Sequence, residues 1–219
     1  MEPINGLPWI DLASNRPGKS VLDHADQLYA DWRQQPFFRR LLTRRDDRSW
    51  RLGAAGEELV ARRLSKLGEA YQMLHSIPIG NRQSDIDHLV IGPSGVYSIN
   101  AKSHAGKSVW VRGDTVLING QRVHHVRNSR FETERVAHIL SDLMGYAVPV
   151  TGLVLVVHEK HFAVREQPRD GHVRVMTPRA AVHWIQRRPD CLPFGQVMNV
   201  YEWARRSTTW GEQSPRKAG

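Results

Sequence analysis

The chain has 219 residues, 40% of them hydrophobic, which is enough to bury a substantial core and to form one domain with additions. Lys and Arg number 31 against 22 for Asp and Glu, and the net charge of +9 favours an anionic partner, either nucleic acid or an acidic lipid surface. The single cysteine, Cys191, excludes an internal disulfide and a multi-cysteine zinc site. No apolar run reaches the length of a membrane span and no secretory signal pattern is present, so a cytoplasmic location is expected.

Residues 1–50 are predicted to form an N-terminal helical arm. Residues 1–20 contain three prolines and are expected to be a loose lead-in, after which apolar residues recur at helical spacing from Val21 until Pro36. A second short helix, over residues 37–45, carries aromatic and leucine side chains beside four arginines. Such a basic amphipathic helix can pack on the core, lie along a phosphate backbone or rest on a membrane surface, and the sequence leaves these three interpretations open.

The next predicted element is a helix over residues 53–68. Val60, Leu64 and Leu67 form its apolar stripe, and Glu57 lies near its start on the flank of that stripe. We therefore expect the Glu57 carboxylate near the buried side of the first turn. A glutamate at this position also complements the helix dipole, so spacing alone does not assign it a role.

Two apolar strands joined by a Gly-Pro-Ser-Gly turn hold the densest group of polar residues. Side-chain alternation puts Asp85 and Asp87 on one face of the first strand, and Asn100 and Lys102 on one face of the second. If the strands pair through the turn, the acids that begin one strand lie near the amide and amine that end the other. Carboxylates hold a hard divalent cation and a lysine presents a point charge to phosphate, so this group suits a cation and a phosphodiester.

The rest of the core alternates strands with one long helix. A strand over residues 71–79 precedes the hairpin, and Asn119-Gly120 predicts a type I′ turn in a second hairpin that would extend the sheet. A helix over residues 127–144 leads to a continuously apolar strand over residues 150–157. Residues 161–219 are expected to extend the same domain with a short strand, two helices and a polar, frayed tail that begins at Ser207.

Four short signatures follow one another in a fixed order within residues 53–102. They are Gly53-Ala54-Ala55-Gly56-Glu57, Asp85-Ile86-Asp87-His88, Gly92-Pro93-Ser94-Gly95-Val96 and Asn100-Ala101-Lys102. Together they resemble the nuclease-related domain (NERD) family of the PD-(D/E)XK nuclease superfamily, over about residues 51–160. The resemblance implies an α/β fold with a restriction-endonuclease-like αβββαβ core, in which helices flank a mixed central sheet. One position departs from the pattern, because the superfamily usually has Glu or Asp where this chain has Asn100.

The resemblance implies a metal-dependent nuclease that hydrolyses DNA or RNA, with DNA favoured. Glu57, Asp87 and Asn100 would hold Mg²⁺ or Mn²⁺, Asp85 would be an auxiliary ligand, and Lys102 would face the scissile phosphate. Because Asn100 brings no negative charge, cation affinity should fall. A catalytically weakened or inactive nucleic-acid-binding module of the same fold is therefore the alternative, and a membrane-surface adaptor that uses the basic N-terminal helices is a third.

Several basic residues near these motifs are candidate contacts to nucleic acid. They are Arg82, His104, Arg127 and Arg130. The two last residues flank a predicted helix N-terminus, which favours phosphate binding, although each of the four is also explained as a solvated side chain. His124 and His125 are adjacent and would point to opposite sides of a strand, so they make a poor chelating pair.

Overall fold

The structure is a computed structural model that describes residues 9–18, 52–79 and 85–211. Element labels count only these residues. The two helices predicted for the N-terminal arm lie outside them, and so does Arg82.

A five-stranded mixed sheet forms the centre of the fold. Its strands, in spatial order, are β1 (Gln72–Pro78), β2 (Asp85–Gly92), β3 (Gly95–Ser103), β7 (Val150–Val157) and β9 (Val173–Met176). The first three strands pair antiparallel, whereas β3, β7 and β9 are parallel. Parallel neighbours need a crossover connection, and between β3 and β7 it includes the long helix α2 (His125–Met144).

The predicted hairpin is confirmed. Gly92 pairs with Gly95 across a two-residue turn, and Gly95 has φ of +120°, a backbone conformation that favours glycine. Antiparallel pairing continues to His88 and Ile99, so the start of β2 lies beside the end of β3. The polar residues of the two strands are therefore at the same end of the sheet.

A second, four-stranded sheet follows β3 in the chain. Its strands, in spatial order, are β6 (Gln121–Val123), β5 (Thr115–Ile118), β4 (Ser108–Arg112) and β8 (His161–Glu166). Asn119 and Gly120 have φ of 48° and 83°, as the predicted type I′ turn requires. The expectation that these strands extend the central sheet is wrong. One face of β4 and β5 is apolar, and it packs on Val154 and Val156 of β7, which needs a cover on that face.

Helices cover both faces of the central sheet. Helix α1 covers residues 52–64 and continues into a 3₁₀ turn, and it packs with α3 (Pro178–Gln186) on one face. Helices α2 and α4 (Phe194–Ala204) pack on the other face. The predicted αβββαβ core of a mixed sheet flanked by helices is confirmed, with the second sheet inserted before α2.

The segments at both ends of the described chain pack on the core. Leu12 is buried, its backbone N–H donates to the Arg205 carbonyl at 2.8 Å, and Arg205 forms an ion pair with Asp11. Trp210 is also buried and donates through Nε1 to the Ala204 carbonyl at 2.8 Å. The expectations of a loose lead-in and of a tail frayed from Ser207 are therefore wrong for these residues, because Leu12 and Trp210 complete the core. No helix in the described ranges is long and apolar enough to cross a membrane.

Candidate active site

Asp87 links the motifs of the two hairpin strands. Its Oδ2 accepts a hydrogen bond of 2.6 Å from the backbone N–H of Ala101, which lies between Asn100 and Lys102 on β3. Burial raises the pKa of the Asp87 carboxyl, whereas the Lys102 ammonium and the Ala101 N–H oppose the shift. The hairpin therefore brings Asp87 to the polar end of β3.

Asn100 and Lys102 share one face of β3. They pair with Val154 and Val156 of β7, both of which belong to the apolar cluster between the two sheets. This face looks toward α2, and the buried Asn100 donates from Nδ2 to Oε2 of Glu132 at 2.6 Å. Glu132 is thus a residue of this site that the sequence analysis did not select.

Glu57 reaches the same region from the opposite face of the sheet. Its side chain is only 4% exposed, and its Oε2 accepts a hydrogen bond of 3.0 Å from the Gly18 backbone N–H. Burial and the negative charge of Asp87 raise the pKa of Glu57, and the Lys102 ammonium opposes them. Residues 57, 87 and 102 therefore act on one another electrostatically, although they are far apart along the chain.

Close packing of α1 on the sheet explains how Glu57 gets there. A Cβ at Gly56 would lie 3.1 Å from Cγ2 of Val157 and 3.6 Å from Cβ of Ser103, so the helix start lies directly over the ends of β7 and β3. Glycine permits this approach because it has no side chain. The next residue, Glu57, is consequently held at the polar end of the sheet.

The site carries an excess of negative charge. Four carboxyl groups interact with one another and with the single ammonium of Lys102: Glu57, Asp85, Asp87 and Glu132. Burial raises the pKa of Glu132, Lys102 and Asn100 oppose the shift, and Asp87 adds to it. Oxygen donors with uncompensated negative charge fit a hard divalent cation such as Mg²⁺ or Mn²⁺ in atom type and in charge. Within the described ranges, however, no three His, Cys, Asp or Glu side chains converge as the ligands of a metal do.

The candidate nucleic-acid contacts have different surroundings. His104 stacks on His125 with 3.1 Å between the two Nε2 atoms, so His125 begins α2 and does not lie on the expected strand. Burial, together with Lys102, lowers the pKa of His125 to about 4, and burial also lowers the pKa of His104. Arg130 bonds both oxygens of Asp114 at 3.1 Å and also pairs with Asp170. Its charge is therefore already compensated, whereas Arg127 is exposed at the start of α2.

Glu132 carries a signal in the sequence that points to its role. Ser129, Thr133 and Val136 form the buried stripe of α2, and Glu132 lies three residues after the first and four before the last. A charged residue on the edge of a buried stripe is uncommon unless it is paired. The contact between Gly18 and Glu57 carries no comparable signal, since a backbone N–H can come from any residue.

A mixed sheet flanked by helices, with acids and one lysine at the end where β2 starts and β3 ends, defines a nuclease-like α/β domain. The model of the nuclease-related domain family matches residues 52–157, and this part of the chain belongs to that family. An uncharacterized protein of Bacillus anthracis is 40% identical over 65 residues, which are 28% of this chain and 29% of that protein. The match thus spans less than a third of that relative's length. No solved structure matches the chain.

Proposed function

We propose that this nuclease-related domain hydrolyses phosphodiester bonds of nucleic acid, DNA in preference to RNA, with Mg²⁺ or Mn²⁺ as cofactor. The observation that supports the proposal best is the electrostatic grouping of Glu57, Asp87 and Lys102 from three separate elements at one end of the sheet. Carboxyl groups buried close together repel one another when ionised. A divalent cation removes this repulsion, and it is the natural counterpart of such a site.

Each residue of the site has a distinct role in this proposal. Glu57 and Asp87 hold the cation, and Asp85 assists as an auxiliary ligand. The bound cation supplies Lewis-acid polarisation of the phosphate and a water molecule of lowered pKa. Lys102 presents its ammonium group to the scissile phosphate and stabilises the negative charge that develops there. The +9 net charge of the chain and the exposed Arg127 favour approach of the polyanionic substrate.

A binding module without catalysis is the second candidate function. It is favoured by the hydrogen bonds that already engage the acids, from Gly18 to Glu57, from Ala101 to Asp87 and from Asn100 to Glu132. It is favoured as well by the absence of a converged metal-ligand set in the described ranges. In that case Lys102 would be one phosphate contact among several.

Cleavage assays distinguish the two functions. The full chain is incubated with plasmid, single-stranded DNA and RNA in Mn²⁺ or in EDTA, and binding is measured separately by fluorescence anisotropy. We expect Mn²⁺-dependent cleavage that falls by about a hundredfold or more in Lys102→Ala, since loss of one charge-stabilising group typically costs that much. Asp87→Asn should abolish cleavage and keep salt-dependent binding.

Matched controls and contrary results are well defined. The exposed Lys66→Ala and Asp142→Asn lie away from the site and should cleave as the wild type does. Salt-dependent binding without cleavage in either metal would replace hydrolysis with the binding function. Undiminished cleavage by Asp87→Asn would assign the activity to another site or to a contaminant. Sedimentation with anionic liposomes but no nucleic-acid binding would favour the membrane-surface alternative.

A further inference from the structure

We propose that Glu132 supplies the third carboxylate of the site, in place of the acid that is missing at position 100, and that Asn100 is the residue that positions it. This inference rests on the proposed function and deepens it, because it names a cation ligand on α2 that the motif on β3 does not contain. It also gives Asn100 a role as a hydrogen-bond donor to a ligand and not as a ligand itself.

The contact between Asn100 and Glu132 explains why an amide occupies the strand position. Nδ2 of Asn100 lies 2.6 Å from Oε2 of Glu132, and Asn100 is only 3% exposed. An aspartate at position 100 would put a second carboxylate at that distance, with little water to screen the repulsion. An amide at position 100 and an acid at position 132 are therefore complementary. The same pair with the two groups exchanged would be equally complementary.

Glu132 belongs to the electrostatic group of the other acids. The positive charge of Lys102 and the negative charge of Asp87 both act on its carboxyl, as they act on Glu57. Asn100 engages Oε2, and Oε1 has no hydrogen-bond partner in the described part of the chain. One oxygen is thus held in place by the protein while the other remains for a cation.

The helix that carries Glu132 lies unusually close to the sheet. A Cβ at Gly152 of β7 would lie 2.3 Å from Oγ1 of Thr133 and 2.9 Å from Oγ of Ser129, so only glycine fits beneath these two residues. β7 is the direct neighbour of β3. This close approach lets a side chain on the second turn of α2 reach Asn100, and it accounts for a carboxylate that comes from a helix and not from a strand.

Mn²⁺ binding tests the proposal without relying on activity. The dissociation constant of the full chain for Mn²⁺ is measured from the electron paramagnetic resonance signal of the free ion, with thermal unfolding as a check that each variant folds. We expect Glu132→Gln to weaken Mn²⁺ binding by about tenfold or more, since changes to a ligand or to its supporting partner have effects of that size. Glu134→Gln, an exposed neighbour on the same helix, should bind as the wild type does.

The double variant Asn100→Asp with Glu132→Gln separates a ligand role from a structural one. It moves the carboxylate to the strand and lets the glutamine amide donate the hydrogen bond, so Mn²⁺ affinity should return to within about threefold of the wild type, whereas Asn100→Ala should weaken it. Wild-type affinity in Glu132→Gln, together with lost affinity in Asp87→Asn, would overturn the role of Glu132 and leave the proposed function standing. Failure of the double variant to recover affinity would overturn the exchange of positions. Absence of Mn²⁺ binding by the wild type would overturn both proposals.

Discussion

Replacing Gly152 with alanine should push α2 away from the central sheet. The added Cβ would lie 2.3 Å from Oγ1 of Thr133, a separation far below van der Waals contact. Thr133 cannot turn away freely, because its hydroxyl donates to the Ser129 carbonyl at 2.7 Å. Either this hydrogen bond breaks or the helix moves.

The size of the effect follows from these contacts. Overpacking of a core costs about 1–3 kcal/mol, and loss of the Thr133 hydrogen bond adds about 1 kcal/mol. The free energy of unfolding should therefore fall by about 2–4 kcal/mol, and Tm by roughly 5–15 °C for a chain of this size. Urea titration and thermal unfolding by circular dichroism measure both quantities. Because Glu132 adjoins Thr133, Mn²⁺ affinity should fall in the same variant.

Two further variants make the result specific. Gly195→Ala adds a Cβ in α4 with no atom within 4 Å, and alanine is favoured in helices by up to about 1 kcal/mol, so this control should be neutral or slightly stabilising. Thr133→Ala combined with Gly152→Ala removes the closest clash and should regain part of the lost stability. If Gly152→Ala unfolds at the wild-type urea concentration, the close packing of α2 on β7 is refuted.

Three other substitutions test the charges and the turn chemistry. Burial and Asp87 raise the pKa of Glu57 above its ordinary value of 4.5, so the wild type without divalent cation should lose stability as the pH rises through the raised pKa, and Glu57→Gln should gain more in Tm at pH 8 than at pH 5, whereas the exposed Glu58→Gln should not. Arg205 lowers the pKa of Asp11, so this pair stabilises the fold above the ordinary carboxyl pKa, and Asp11→Asn should lower Tm at pH 7 but much less at pH 3; equal losses would contradict the pairing. Gly120→Ala should cost about 1 kcal/mol in urea unfolding, because its φ of 83° is strained for alanine, and no loss would refute the turn type.

The hairpin of β2 and β3 could be predicted because its signals are local. Apolar alternation identified both strands, and the short turn fixed which residues face each other, so the position of Asp87 beside the end of β3 followed from the pattern. The start of α1 was similarly readable, since its apolar stripe placed Glu57 on the flank of the buried side. These elements carry the motifs that the family shares.

The contacts that complete the site could not be read in this way. Gly18 donates to Glu57 across 39 positions of sequence, and Glu132 meets Asn100 across 32, so neither contact has a local pattern. The strand over residues 161–166 was missed because its parallel pairing with β4 is also non-local and its burial does not alternate cleanly. Tertiary packing decides such contacts, and in this chain it brings a carboxylate from α2 to the strand position where the sequence has an amide.

The most direct measurement is the anomalous diffraction of crystals of the full chain soaked in Mn²⁺. The account predicts one strong anomalous peak bounded by the carboxylates of Glu57, Asp87 and Glu132, with the Lys102 ammonium beside it and the Asn100 amide still bonded to Glu132. A peak elsewhere in the molecule, or saturating Mn²⁺ with no peak at these residues, would contradict it.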